Sequence, residues 1–373
     1  MGYIQKQRGK YRARYRDPLG RVTSTTFDRK SDAQRFLAEM ETEKARGNWI
    51  DPKHATILLA HWADEFLSLA RRLSPSTQET YRRDLTKYVL PTLGAYRLGA
   101  IPPDEIENWL NDEIEAGIAP SSVHRHYRTL RRMLQVAVDK QKILSNPCDR
   151  VEPPRVPKRE MVFLDWKQAV DLAEAHTDRY RALIYLAVDS GMRWSELIGL
   201  RRSKLDVRAR KVRVTEQLIH LETGEWLRKE TKTPASVRSI TISSVTAEIM
   251  AHHLERYAAP GPDGLVFPNR AGNPIAAASF WNNHFGPAQR ASGVSCRFHD
   301  LRHSSVALAI AGGAHPKAIQ ARMGHSSINV TLDRYGHLFP ELDEAIAATF
   351  SEQLTAARSD RESKVVHAAF GDR

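Results

Sequence analysis

Length, composition and charge narrow the classes of protein to which this chain can belong. It has 373 residues, of which 41% are hydrophobic and 27% are charged, as is typical of folded domains. The formal net charge is +12, which favours a polyanionic partner, above all nucleic acid. The longest uncharged apolar runs, such as ALIYLAV, are much shorter than the roughly 18 residues of a membrane-spanning helix, so we expect no membrane partner.

The amino-terminal sequence and the cysteine content favour a cytoplasmic protein. The first residues, MGYIQKQRGK, hold no apolar core of the kind found in signal peptides. The two cysteines, Cys148 and Cys296, are too few for a disulfide framework. We therefore expect the protein in the cytoplasm, at the nucleoid if its basic charge binds DNA.

The basic charge is concentrated at the amino terminus, where the first thirty residues hold nine Lys or Arg against two Asp. The stretch KYRARYRDPLGRVTSTTF alternates, turns at DPLG and continues with β-branched residues, which predicts a β-hairpin. A period of two places Arg12, Arg14 and Arg16 on one strand face, and a helix follows with Ser31 as its N-cap. Three aligned arginines repel one another unless an anion meets them. The alternative is a solvated charged hairpin, but we favour a DNA-binding unit over residues 1–53.

The following residues, 56–150, are predicted to form a helical domain, because apolar residues recur with a helical period between Pro and Gly breaks. The last helical segment carries basic side chains on its surface that fit a clamp on a DNA duplex, although such faces are often merely solvated: Arg125, Arg128 and Arg132. The Pro-rich stretch 151–160 predicts a linker. A mixed helical and β domain over 161–350 and a polar tail over 351–373 complete the predicted organisation.

The pentapeptide HDLRH places His299, Arg302 and His303 on one face of a predicted helix. Histidines four residues apart are also a zinc-ligand spacing, but a zinc protease needs Glu directly after the first His, and here Asp300 follows. Cys296 forms a single C-x-x-H pair with the first His, and no second pair completes a zinc site. We therefore expect no metal, which leaves open a structural or a functional explanation of the pentapeptide.

Three further fragments bear on that choice. SGMRWSELIGL sets Arg193 three residues before Glu196 inside a predicted helix, where a buried arginine needs an anion that Glu196 supplies only in part. ETKTPASVRSI places Lys232 at a β-turn before a strand. RMGHSSINVTLDRYGHL gives His325 after a Gly stop and Tyr335 near the end of the next helix. Each fragment alone is more often structural than catalytic.

In this order, however, the fragments resemble the tyrosine recombinase family of the phage-integrase type. That family's pattern is an Arg, a hairpin Lys, H-x-L-R-H, G-H and then a Tyr, and every position is matched over about residues 160–345. The resemblance extends more loosely over the two preceding units. It implies a multidomain fold with a small β-sheet-plus-helix arm-binding unit, an all-α core-binding (SAM-like) domain and an α+β, mainly helical catalytic domain.

The resemblance also implies which residues react. The catalytic set would be Arg193, Lys232, His299, Arg302, His325 and Tyr335, with Glu196 and His303 in support. The two arginines would hold the anionic oxygens of a phosphodiester, and the tyrosine would attack it. The first histidine of HDLRH would accept the tyrosine proton, the lysine would protonate the leaving 5′ oxygen, and the G-H histidine would donate a further hydrogen bond.

The family further implies the partners: double-stranded DNA attachment sites of core and arm type, a synaptic homo-tetramer, a DNA-bending host factor and an excisionase. In the tetramer the segment PELDEAIAATFSEQLTAA would pack as a helix on a neighbouring copy. No cofactor is implied, since a phosphotyrosine ester conserves the energy of the broken bond. A type IB topoisomerase would use the same catalytic set, but two DNA-binding modules suit an integrase of a temperate phage or integrative element better. A non-catalytic DNA-binding protein would have to match the six catalytic positions by accident.

Overall fold

The computed structural model of the protein describes residues 2–16, 20–45, 54, 56–157, 160–230, 237–338 and 347–359. The chain divides into two compact units, Met1–Lys158 and Arg159–Arg373. No helix among the described residues combines the length and the apolar character that a bilayer span requires.

The first unit begins with a three-stranded antiparallel sheet followed by a helix. Its elements are β1 (Tyr3–Gln7), β2 (Lys10–Arg16), β3 (Val22–Phe27) and α1 (Lys30–Ala45). The predicted hairpin is β2–β3, and β1 is an additional strand that the sequence pattern did not predict. Ala13 and Tyr15 are buried on the face opposite the three arginines, as the period of two requires. Ser31 is the second residue of α1, so its prediction as N-cap is wrong by two residues.

The rest of the first unit is helical. Its helices are α2 (Leu59–Leu69), α3 (Pro75–Asp84), α4 (Leu90–Leu93), α5 (Pro103–Glu115) and α6 (Pro120–Asp139), with a π-helical turn, Leu85–Val89, between α3 and α4. Proline at the start of α3, α5 and α6 suits the first helical turn, where its missing N–H needs no partner. One continuous apolar core, which includes Trp62, Trp109 and Leu130, holds these helices together.

The second unit surrounds two small antiparallel sheets with helices. The helices are α7 (Trp166–Glu174), α8 (Asp178–Ser190), α9 (Trp194–Ile198), α10 (Ser244–Arg256), α11 (Ala277–Phe280), α12 (Gly286–Ser292), α13 (Phe298–Ala311), α14 (Pro316–Met323) and α15 (Ile328–Tyr335). The strands are β4 (Leu205–Asp206), β5 (Lys211–Val214), β6 (Glu216–His220), β7 (Trp226–Glu230) and β8 (Arg238–Thr241). One sheet has the order β4-β5-β8, and the other pairs β6 with β7.

The carboxy-terminal segment that the structure describes, 347–359, is helical, as the family resemblance implies for PELDEAIAATFSEQLTAA, although residues 351–373 were also predicted as a polar tail. All of its described side chains are exposed. Phe350 and Leu354 lie four residues apart and therefore on the same side of this helix, with exposures of 59% and 64%. The helix thus presents an apolar stripe to solvent within the described structure.

Candidate active site

Arg193 lies at the start of α9 rather than inside a helix, which corrects the sequence-based expectation. Its φ of −74° and ψ of 155° are those of an extended residue, and it is the N-cap of α9. The backbone N–H of Arg193 donates to Glu196 Oε2 at 2.8 Å, and its Nη1 donates to Oε1 at 3.0 Å. Glu196 at the third helical position thus caps the helix and holds the arginine side chain, which stays 38% exposed.

Glu196 has a second partner that the sequence analysis missed. Arg238, the first residue of β8, donates from Nη1 to Glu196 Oε1 at 3.1 Å and from Nη2 to Oε2 at 2.8 Å. Burial opposes ionisation of Glu196, but the hydrogen bonds and charges of Arg238 and Arg193 outweigh it and lower the pKa of the carboxyl. The glutamate is therefore a buried anion with four donors.

Aromatic packing brings the start of α9 close to the start of α13. The rings of Trp194 and Phe298 meet edge to face with their centroids 4.9 Å apart. Because these residues directly follow Arg193 and precede His299, the contact places both candidate catalytic side chains at one edge of the apolar core. Asp300 fastens the first turn of α13 by accepting from the backbone N–H of Arg297 at 2.7 Å.

Arg302 is buried on α13, and backbone carbonyls hold its guanidinium. Its Nη1 donates to the carbonyl of Gly191 at 2.5 Å, and its Nη2 donates to that of Met323 at 2.6 Å. Burial is the largest cause that lowers the pKa of Arg302, to about 9, followed by the charges of Arg193 and Arg238. The guanidinium therefore stays charged at neutral pH.

Gly191 is suited to this contact because its backbone conformation is one that favours glycine. It ends α8 with a φ of +64°, in the left-handed region. A Cβ at this position would lie 2.5 Å from the terminal carbon of Met323. Absence of the side chain thus allows the Gly191 carbonyl and the end of α14 to meet the same arginine.

Tyr335 ends α15 and is almost completely buried, with 1% of its surface exposed. Its hydroxyl lies 2.6 Å from His303 Nδ1, and the ring of His303 stands edge to face with that of His299 at 4.9 Å. The histidine in contact with the tyrosine is thus His303, which the sequence analysis had ranked as supporting. Burial raises the pKa of Tyr335, against the opposing charges of Arg302 and Arg334, which makes the hydroxyl harder to deprotonate here.

Two other histidines belong to the same neighbourhood. His299 is exposed, and its pKa is lowered by desolvation and by the charges of Arg302 and Arg193. His325 follows the left-handed Gly324 that ends α14, and its Nδ1 lies 2.9 Å from the Thr331 hydroxyl. Burial, with added repulsion from nearby arginines, lowers the pKa of His325 to about 4. Both are therefore neutral, proton-accepting imidazoles at neutral pH.

The other predicted residues are Lys232, which falls outside the described residues, and the arginines of the first unit. Arg12 and Arg14 are half-buried on the first sheet, where Arg12 Nε donates to the Ser24 hydroxyl at 2.9 Å and Arg14 Nη1 to the Tyr3 hydroxyl at 3.1 Å, while Arg16 is exposed. The exposed arginines of α6 include those that the sequence predicted, Arg125, Arg128 and Arg132. Within the described part of the chain, no group of three or more His, Cys, Asp or Glu side chains could hold a metal ion.

The neutral buried histidines predict a pH dependence of stability. Burial lowers the pKa of His253, His303 and His325 to about 4 each. The unfolded chain, with histidine pKa near 6.5, binds more protons between pH 6.5 and 4, so the free energy of unfolding falls as the pH drops through that window. Calorimetry at pH 7.5 and 5 should register a lower Tm at pH 5.

His253 gives the matched comparison, because it lies outside the candidate site and is 2% exposed. Its Nε2 is 2.8 Å from the Val266 carbonyl, a contact that the amide of Gln can also make. His253→Gln should reduce the Tm difference between the two pH values, by an amount corresponding to about 1 to 3 kcal/mol in unfolding free energy. An unchanged difference would exclude His253 as a contributor.

The fold and the site together define a class of protein. Two arginines, three histidines and a tyrosine meet in a mainly helical unit, and the charge and donors suit a phosphodiester. The family model described as "Phage integrase family" matches residues 162–341, and that of the "Phage integrase central domain" matches residues 59–153. The chain belongs to the phage integrase family, and is therefore a tyrosine recombinase, an enzyme of site-specific DNA recombination.

Individual relatives are similar over nearly the whole chain. The putative prophage phiRv2 integrase of Mycobacterium tuberculosis is 29% identical over 358 residues, covering 92% of this chain and 93% of that protein. The integrase of Mycobacterium phage L5 is 26% identical and covers 94% and 97%. Among solved structures, the Tn1549 transposon integrase bound to transposon right-end DNA has a TM-score of 0.68 at 21% identity, covering 79% of this chain and 99% of that one. A lambda integrase tetramer bound to a Holliday junction has a TM-score of 0.54 at 22% identity, covering 87% and 95%.

Proposed function

We propose that the protein integrates and excises the DNA of a phage or other mobile element at attachment sites, by way of a 3′-phosphotyrosine intermediate. The observation that carries this proposal is the burial of Arg302 and Tyr335 close enough for their charges to influence each other, with His303 in contact with Tyr335 and the charge of Arg193 acting on Arg302. Family membership over both the central and the catalytic segments, together with the basic amino-terminal sheet, supports an integrase with two DNA-binding modules.

The scissile phosphate would be bound by positive charge from two directions. Arg193, whose side chain is partly exposed, and Arg302 would contact the non-bridging oxygens, where negative charge increases in the transition state. His325, held by its bond to Thr331, would donate a further hydrogen bond. Protein cations would stabilise the pentacovalent phosphate as a metal does elsewhere. No nucleotide cofactor would be needed, because the phosphotyrosine ester conserves the energy of the broken bond.

Proton transfers would accompany attack by Tyr335. Its oxygen forms the bond to phosphorus and its proton passes to His299, while the bond from phosphorus to the 5′ oxygen breaks and that oxygen takes a proton from Lys232. The reverse steps join the 5′ hydroxyl of another strand. Since Tyr335 is buried against His303, cleavage would require the tyrosine to leave this contact and approach the DNA.

Two surfaces would hold the DNA. The sheet face with Arg12, Arg14 and Arg16 would bind arm-type sites, and the exposed arginines of α6 would bind the core site. Arg125 is held in place among the latter, because its Nε donates to the fully buried Asp84 at 3.2 Å. Fixed guanidiniums lose less conformational entropy on binding phosphate than free ones.

The proposal also covers the oligomeric state of the protein and its place in the cell. We propose a synaptic homo-tetramer in which helix 347–359 packs its Phe350 and Leu354 stripe on a neighbouring copy, since an exposed apolar stripe calls for a partner surface. A DNA-bending host factor and an excisionase would set the direction of recombination at the nucleoid of a bacterial cytoplasm.

Deletion of residues 1–53 tests the two-module proposal. Recombination between full attachment sites should be lost, whereas covalent cleavage of a nicked core-site duplex should remain measurable, because the catalytic residues lie in the second unit. A milder variant replaces Arg12, Arg14 and Arg16 by Gln. Its arm-site affinity should show a slope of log K against log salt that is smaller by roughly 3 than that of wild type.

A charge-matched control replaces three exposed basic residues of the same unit, Arg29, Lys30 and Arg35, by Gln. The control should keep more arm-site affinity than the variant of the three sheet arginines. Both variants lose three positive charges, and they differ only in where on the unit those charges lie. Normal integration by the truncated protein would refute the two-module proposal. Relaxation of supercoiled DNA that lacks attachment sites, without strand exchange, would favour the topoisomerase alternative.

A further inference from the structure

Arg238 is the most deeply buried cation that contacts Glu196, and none of the reaction steps above uses it. Its side chain is 4% exposed, against 38% for Arg193, the other arginine on the same carboxylate. Beyond its two bonds to Glu196, its Nε donates to the backbone carbonyl of Arg322 at 2.8 Å. All three guanidinium nitrogens of Arg238 donate to protein acceptors in this arrangement, so we take its function to pass through these partners.

The first consequence of these contacts concerns charge. Two guanidiniums on one carboxylate leave a net charge of +1 in the cluster of Arg193, Glu196 and Arg238. Since Arg193 is the exposed member, the excess positive charge is available there to an approaching phosphate. Without Arg238, the cluster would be neutral, and Glu196 would draw the charge of Arg193 toward the protein interior.

The second consequence concerns position. Arg238 binds the carbonyl of Arg322 and Arg302 binds that of Met323, so two arginines cap consecutive carbonyls at the end of α14. Cations at this end also interact favourably with the helix dipole. The next residues are Gly324 and then His325. Arg238 therefore connects β8, the cap of α9 and the end of α14, which carry or support separate catalytic side chains.

We infer that Arg238 is a positioning residue that keeps the charge of Arg193 available to the scissile phosphate and fixes the end of α14. This inference rests on the proposed function and deepens it, because it names a residue outside the predicted catalytic set on which phosphate activation depends. Lys cannot replace it, since a single ammonium cannot reach both Glu196 oxygens and the Arg322 carbonyl with the same fork.

The test measures single-turnover formation of the covalent adduct on a nicked core-site duplex, at saturating protein. Arg238→Gln should slow adduct formation about 100-fold, as expected from a misplacement of catalytic groups, while the Kd for the core site changes by less than about threefold. Arg238→Lys keeps the net charge of the cluster but not the fork, so it should recover part of the loss and stay below the wild-type rate. Arg201→Gln is the matched control, because Arg201 also donates to a largely buried carboxylate, Glu216, at 3.4 Å, and it should leave the rate near wild type.

A double variant distinguishes a positioning role of Arg238 from a merely structural one. In Arg238→Gln the carboxylate of Glu196 neutralises Arg193, so adding Glu196→Gln should restore the free charge and raise the rate at least about tenfold over Arg238→Gln alone. A merely structural arginine predicts the opposite, a further loss from the second substitution. That opposite result, or a normal rate in Arg238→Gln, overturns the inference. If wild type itself forms no adduct, the proposed function is contradicted, and this result can be told apart from a failure of the Arg238 inference, in which wild type does form an adduct.

Discussion

Tyr335→Phe is expected to abolish the covalent protein–DNA adduct on a nicked core-site duplex, while wild type traps one. The nick lets the short 5′-hydroxyl fragment diffuse away, so the phosphotyrosine accumulates and can be counted on a denaturing gel. Phe lacks the attacking oxygen, and no other group on its ring can form the bond to phosphorus. The adduct should fall below detection in the variant, the largest effect that we expect from any single substitution.

Fold and DNA binding should survive this change. The variant loses one oxygen and its 2.6 Å contact with His303, at a cost of about 1 kcal/mol in stability. Tyr257→Phe is the matched control, because it removes a hydroxyl bonded to Asp178 at 3.1 Å outside the candidate site, and its adduct should form normally. An adduct in the Tyr335→Phe variant would place the nucleophile at another residue.

The same assay addresses the metal interpretation of HDLRH. If Arg193, Arg302 and His325 alone stabilise the charge on phosphorus, the yield of wild-type adduct is the same with and without EDTA. A yield that disappears with EDTA would show that the reaction requires a metal ion.

Much of the fold and site follows from local sequence patterns. The hairpin β2–β3 was predicted because alternation, a DPLG turn and β-branched residues all describe the same structure. The helix α13 was predicted from the spacing of HDLRH, and the end of α14 from Gly324. In each case the determining interactions lie within a few residues of one another, which is the range over which sequence patterns carry information.

The parts that the sequence did not predict depend on contacts between distant segments. Arg238 meets Glu196 across 42 positions of sequence, and nothing in SVRSITIS indicates a buried cation. His303 contacts Tyr335 across 32 positions, so its rank as a supporting residue could change only once the packing of α15 was known. Arg193 was assigned to a helix interior because a short helix and its N-cap share one apolar pattern, and only the backbone angles distinguish them.

Arg302→Lys is expected to show the second largest effect, because it keeps the charge and removes the planar fork. In wild type, Nη1 and Nη2 each bind a backbone carbonyl, those of Gly191 and Met323, which orients the guanidinium edge. A lysine ammonium reaches at most one of these acceptors with good geometry, leaving a buried carbonyl unpaired and the charge displaced from the phosphate.

We expect Arg302→Lys to lose roughly 2 to 4 kcal/mol of transition-state stabilisation, or about 30- to 1000-fold in the rate of adduct formation. Core-site affinity should change little, because many contacts to DNA phosphates contribute to it. Arg202→Lys is the control, because Arg202 also donates to a backbone carbonyl, that of Leu254 at 2.7 Å, outside the candidate site. Near-normal cleavage by Arg302→Lys would remove this residue from the phosphate site, whereas equal losses in both variants would assign the effect to folding.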